Sequence, residues 1–210
     1  MSEPELLSLF LGGAPSPSLL RRLAPALRPH TADLFMEVPR CPPTSPLRTP
    51  GRRAGAVPGL VRQALALPPE KRAESRDFAA SLPRQERTQP VPGLPVHERY
   101  LPGPGALPMR MARNRNLDRL ATAGTFLVVT GRYWSAAAYG GVGHDRTQLT
   151  PELLVDFSTV LDVPAGDLAA LTGTPLPGVS PNLRSAAAGL AELIWDVRRL
   201  TARQLHQSAT

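Results

Sequence analysis

The sequence predicts an all-α protein, made of small helical units joined by Pro-rich linkers. Three observations carry this. Apolar residues recur at helical spacing behind good N-caps, and one such stretch appears twice. Moreover, 25 Pro and 17 Gly in 210 residues interrupt the chain too often for long elements. Aromatic residues make up only 5% of the chain, so its cores are expected to be mainly Leu, Val and Ala.

The duplicated stretch covers residues 16–35, SPSLLRRLAPALRPHTADLF, and residues 150–169, TPELLVDFSTVLDVPAGDLA. Ser16 or Thr150 is a good N-cap, and Pro17 or Pro151 suits the first helical position. Leu20, Leu23 and Leu27, or Leu154, Phe157 and Leu161, then fall on one face at i, i+3, i+7. Pro29 or Pro164 ends the helix region, and Ala32-Asp33-Leu34 or Gly166-Asp167-Leu168 starts a second short helix.

Residues 1–38 thus form an N-terminal helical unit. Residues 39–108 read as a basic, Pro-rich linker region with two short helices, at 59–67 and 69–82, and an extended Pro/Gly stretch from 88. Residues 109–173 form a second compact unit. Within 174–210, residues 183–206 form an amphipathic helix with a seam of Leu183, Ala187, Leu190, Ile194 and Val197. That seam either packs on its own domain or joins two copies in a homodimer through Leu190, Ile194 and Val197.

The formal net charge of +7 favours polyanionic partners and says nothing of fold. Lys71 is the single lysine among 24 Lys and Arg, a bias that points to GC-rich coding, as in a high-GC bacterium. Positive charge gathers in the linker region and at the start of the second unit. There Arg110, Arg113, Arg115, Arg119 and Arg132 are opposed by Asp118 alone. Further on, Arg146 faces Asp145, Glu152, Asp156, Asp162 and Asp167. A lone Cys41 excludes an internal disulfide. The longest apolar run, Phe126–Val129, is far too short for a membrane span. Residues 1–10 carry Glu3 and Glu5 and no basic residue, unlike a signal peptide, so the expected setting is the cytoplasm.

Residues 135–171, SAAAYGGVGHDRTQLTPELLVDFSTVLDVPAGDLAAL, resemble the second half of the XRE family, the Cro and λ-repressor type of helix-turn-helix. Ser135 matches the residue that opens the recognition helix, and Tyr139 and Val142 its inward apolar positions. Thr150 matches the N-cap of the fourth helix. Leu154, Phe157, Leu161, Val163, Pro164 and Leu168 match the core and turn of the last two helices without a gap. Upstream, 107–120 would be the first helix and 122–132 the second.

The resemblance implies a five-helix fold whose third helix enters the major groove of duplex DNA. Base reading would fall to Ser135, Ala136, Ala137, Gly140 and Gly141, and phosphate contact to Arg110, Arg113, Arg115, Arg132 and Arg146. Ala and Gly, however, offer base edges no hydrogen-bonding groups. The family's Glu after the recognition helix is Gly143 here, its Gly is Asp145, and its Pro before the fourth helix is Leu149. Two functions fit: a transcriptional regulator that binds DNA mainly through phosphates, and a protein-interaction module on a scaffold that no longer reads DNA.

Enzyme chemistry, cofactors and metals are not expected. Phe126–Gly131 reads locally as a strand ending in a glycine turn, but the next glycines, at 140, 141 and 143, are too distant to cradle a pyrophosphate. His30, His97, His144 and His206 are scattered, without metal-ligand spacing. Glu152 and Asp156, at i, i+4, read as two exposed, ionised carboxylates. Ser135 with His144-Asp145 lacks the flanking elbow of a hydrolase nucleophile. Tyr133 and Trp134 either stack on a base or fill the core, with the core favoured; Trp195 is a packing or interface residue.

Overall fold

Short polar side chains, Ser16, Asp118, Ser135 and Thr150, start four of the nine α-helices among the described residues. The computed structural model describes residues 15–27, 33, 56–83, 96–178, 189–198, 200–201 and 204–205. They belong to two units, Met1–Pro46 and Leu47–Thr210. Among the described residues all regular structure is helical, and no helix is long and apolar enough to cross a membrane.

In the first unit, α1 spans Pro17–Leu27. The Ser16 hydroxyl accepts the Leu19 N–H at 3.2 Å, satisfying one donor that the helix leaves open. Leu19, Leu20 and Ala24 are buried. Of the second short helix expected at 32–34, only Asp33 is described, helical and buried; His30, Cys41 and the linker at 39–55 lie outside the described residues.

The second unit contains α2 (Ala56–Ala66), α3 (Pro69–Ser81), α4 (Ala106–Asn114), α5 (Arg119–Thr130), α6 (Ala136–Gly143), α7 (Pro151–Leu161), α8 (Ala165–Thr172) and α9 (Leu190–Val197). Asp118 caps α5 by accepting the Ala121 N–H at 2.8 Å, and Thr150 caps α7 by accepting the Leu153 N–H at 3.3 Å. Helix α5 ends at Gly131, whose φ of 77° lies in the left-handed region that glycine adopts without steric cost.

Helix α5 is the axis of this unit, packed against α2, α6 and α7. That explains Phe126–Gly131, which reads as a strand but forms the last turn and stop of α5. A helix covered on several faces is apolar without a clean period. Within that turn the Thr130 hydroxyl donates to the Phe126 carbonyl at 2.9 Å. Phe126, Tyr139 and Phe157 meet edge to face, with centroids 5.1 Å apart for Phe126–Tyr139 and 4.8 Å for Phe126–Phe157. Burying each ring contributes roughly 1.5–3 kcal/mol, with about 0.5–1.5 kcal/mol more per aromatic pair.

The helices expected inside a linker are part of this core. Val57, Leu60, Val61 and Ala64 of α2 are buried in it, and α2 approaches α5 so closely that a Cβ on Gly124 would stand 3.1 Å from Pro58. Helix α9 packs on α2, α3 and α7, and Leu190, Leu193, Ile194 and Val197 are buried in the same core. The seam of Leu190, Ile194 and Val197 therefore serves its own unit, and the homodimer expected on those side chains has no surface there. Arg76 of α3 ties down the outer face of α9 through ion pairs with Glu192 and, at 3.3 Å, with Asp196. Residues 183–188 of the expected longer helix, and His206, lie outside the described residues.

Candidate nucleic-acid interface

Helix α6 is built mainly of Ala and Gly, and other side chains crowd its glycines. Ser135 turns the chain with extended dihedrals, and its hydroxyl accepts the Ala138 N–H at 3.1 Å. Of AAAYGGVG, Tyr139 and Val142 point into the core, as the sequence indicates. The remaining small residues admit neighbours. A Cβ on Gly143 would stand 2.6 Å from the Tyr100 ring, one on Gly141 2.3 Å from the Thr147 hydroxyl, and one on Gly140 2.9 Å from the Arg119 side chain. Gly140 and Gly141, expected as base-reading positions, are thus covered by Arg119 and Thr147. Of the other expected reading positions, Ser135 and Ala137 are exposed and Ala136 is half-buried.

The five arginines expected to meet phosphates separate into three kinds. Arg115 is fully buried (0% exposed). Its guanidinium donates to the Met111 carbonyl at 3.0 Å and the Leu161 carbonyl at 2.6 Å, and lies 4.9 Å from the Trp195 ring. It is a core side chain, out of reach of any phosphate. Arg110 and Arg113 clamp Tyr100: Arg110 donates to the Tyr100 carbonyl at 2.8 Å, and Arg113 lies 5.0 Å from the ring centroid. Arg132 and Arg146 remain on the surface beside α6. Arg146 is exposed, while Arg132 is 37% exposed and forms a 3.7 Å ion pair with Asp156 of α7.

Asp156 does not match the expected exposed carboxylate. Glu152, one turn earlier, is exposed, but Asp156 is 2% exposed. Burial pushes its carboxyl up from the ordinary 3.8 to about 6; Arg132 pulls against that shift and Glu152 adds to it. The Asp156 Oδ2 atom and the Tyr139 hydroxyl are both buried with no hydrogen-bond partner among the described residues. Burial, with the Asp156 charge, also drives the Tyr139 hydroxyl well above its usual range.

At the start of α6, Asp118, Arg119, Leu120, Ala136 and Ala137 line an open cleft of about 300 Å³. Beside it, in the α5–α6 turn, Tyr133 is 73% exposed, while Trp134 packs on the core, half-buried. Arg119 was not singled out by the sequence. Its position directly after the Asp118 cap, at the start of α5, is the local signal that could have flagged it.

Other sequence features take structural roles. His144 sits at the far end of α6 from Ser135, about 13.5 Å away by helical rise. It bonds the His97 carbonyl at 3.0 Å and packs edge-on against Tyr100. Together with the use of the Ser135 hydroxyl as a cap, this rules out a Ser135–His144 nucleophile pair. Trp195 stacks against Arg198 at 3.5 Å, as a packing residue. Comparison with protein-family models, with curated proteins and with solved structures gives no match for this chain.

Proposed function

We propose that the chain is a duplex-DNA-binding, regulator-like protein of the XRE type, acting in the cytoplasm, whose interface is the start of α6 with the α5–α6 turn and the start of α5. One observation carries the reading: the third of five successive helices, capped by Ser135, opens onto a cleft shared with the start of the second. The order α4 to α8 supports it, as do the Thr150 cap and the Val163-Pro164 turn at the positions that the family pattern assigns them.

Affinity comes from Arg146, Arg132 and Arg119 on phosphates, with Tyr133 beside them. Ala136 and Ala137 allow close approach of the helix to the groove and offer no donor to a base, so discrimination between sequences is low. Fluorescence anisotropy of the full chain with a mixed GC-rich duplex, across a salt series, tests this. We expect log affinity to fall steeply with log salt, and the slope to shrink by about one when Arg146 is replaced by Ala. Absence of binding at low salt refutes the reading.

A second reading, a protein-interaction module, is favoured by the character of the cleft: Ala136, Ala137 and an exposed Leu120 present apolar surface and no readers. Under that reading, Leu120→Asp abolishes partner capture while duplex binding is absent throughout.

A further inference from the structure

Arg132, an expected phosphate contact, already holds an anion. Its guanidinium reaches from the α5–α6 turn to Asp156 on α7, with Nε 3.7 Å from Oδ1. The carboxylate is buried at 2% exposure, so water does not screen it, and leaving it charged without its cation is costly. Among the described residues, the groups coupled to Asp156 are Arg132, Glu152 on its own helix and the Tyr139 hydroxyl of α6. Arg132 alone is a cation.

Building on the DNA reading above, we propose that Asp156 is an internal competitor for Arg132: its carboxylate occupies the guanidinium at the start of α6, and a phosphate of the duplex must displace it. The contact is self-inhibitory and adjustable. When Arg132 moves to a phosphate, the buried carboxylate loses its counter-charge and takes up a proton, so binding is linked to proton uptake. Since burial already holds that carboxyl near 6, the linkage operates close to neutral pH.

The test is anisotropy with the same duplex at pH 6 and pH 8, for the wild type and four variants of the full chain. Asp156→Asn is expected to bind about fivefold more tightly than the wild type at pH 8, with a salt slope steeper by about one. Glu152→Gln also removes a negative charge from α7 and is expected to leave the slope unchanged. In the Arg132→Gln background, Asp156→Asn is expected to add nothing, the signature of a coupled pair. Wild-type binding is expected to strengthen toward pH 6 by more than that of Asp156→Asn, a difference in which every group other than Asp156 cancels. Should Asp156→Asn fail to fold, the wild type against Arg132→Gln decides, because the pH dependence must flatten in the variant. Equal slopes and equal pH profiles in wild type and variants overturn this inference alone. No binding at either pH overturns the DNA reading and this inference with it.

Discussion

Helices α1 and α7 start from the same plan and end in different environments. Both open on a hydroxyl followed by proline, with the hydroxyl accepting an N–H three residues on, at 3.2 Å from Leu19 and 3.3 Å from Leu153. Both bury the two leucines that follow, Leu19 and Leu20 in one, Leu153 and Leu154 in the other. The divergence comes one turn later. Leu23 of α1 is half-buried, whereas its counterpart Phe157 is wholly buried among Phe126 and Tyr139. Arg22 of α1 is exposed, whereas Asp156 at the matching position is buried. Capping is therefore a local property that a sequence repeat carries with it, while burial is set by what each unit places opposite.

The comparison breaks most sharply at the aromatic position. Phe157→Ala is expected to destabilise the second unit by about 3–5 kcal/mol, the range for removing a buried ring. Leu23→Ala, at a half-buried site, is expected to cost roughly 1–2 kcal/mol. Urea unfolding followed by circular dichroism ranks them, and equal losses would mean that the two positions are equally packed.

The charged position comes next. A carboxyl raised from 3.8 to about 6 in the folded state binds its proton more tightly there than in the unfolded chain. Its contribution to stability is thus greatest below about pH 4 and is lost as pH rises through about 6. The loss is on the order of 3 kcal/mol at most. Asp156→Asn is therefore expected to flatten stability between pH 4 and 7 and to be more stable than the wild type at pH 7.5. Arg22→Gln is expected to stay within about 0.5 kcal/mol of the wild type at every pH. Thermal melts across that range decide; a wild type whose stability rises from pH 4 to 7 relative to Asp156→Asn would refute the assignment.

Much of the fold was legible because caps and apolar spacing are local. Ser16 and Thr150 stand where their residue types predict, Leu154 and Phe157 face inward as their spacing predicts, and Ser135 opens its helix and Tyr139 and Val142 face inward as the resemblance implies. The site was less legible, because the outward charge of an arginine depends on distant residues. Arg115 is buried because Leu161 and Trp195 lie against it, Arg113 is occupied because Tyr100 lies beneath it, and Asp156 is covered on α7 while Glu152 is not. Such partners are not helical neighbours in sequence; Leu161 stands 46 residues from Arg115. The same holds for α2 and α9, whose place in the core of α5 and α7 is a tertiary fact.

Small losses are expected at the shared caps. Ser16→Ala and Thr150→Ala should each cost about 1 kcal/mol, with Thr150 no lower than Ser16 because α7 is the more deeply packed helix. The same denaturant series checks this, and a silent Thr150→Ala would separate the cap from the stability of α7.

The three glycines of α6 have a consequence in time rather than in shape. Eight residues with that composition scarcely populate a helix by themselves. Order in α6 therefore rests on tertiary packing, through its buried Tyr139 and Val142 and through Tyr100, Thr147 and Arg119 set against its glycines. When those neighbours lift away, α6 opens at a lower free energy than α5 or α7 on either side of it. A partner arriving at its N-terminal end thus meets a segment whose ordering is part of the free energy of recognition.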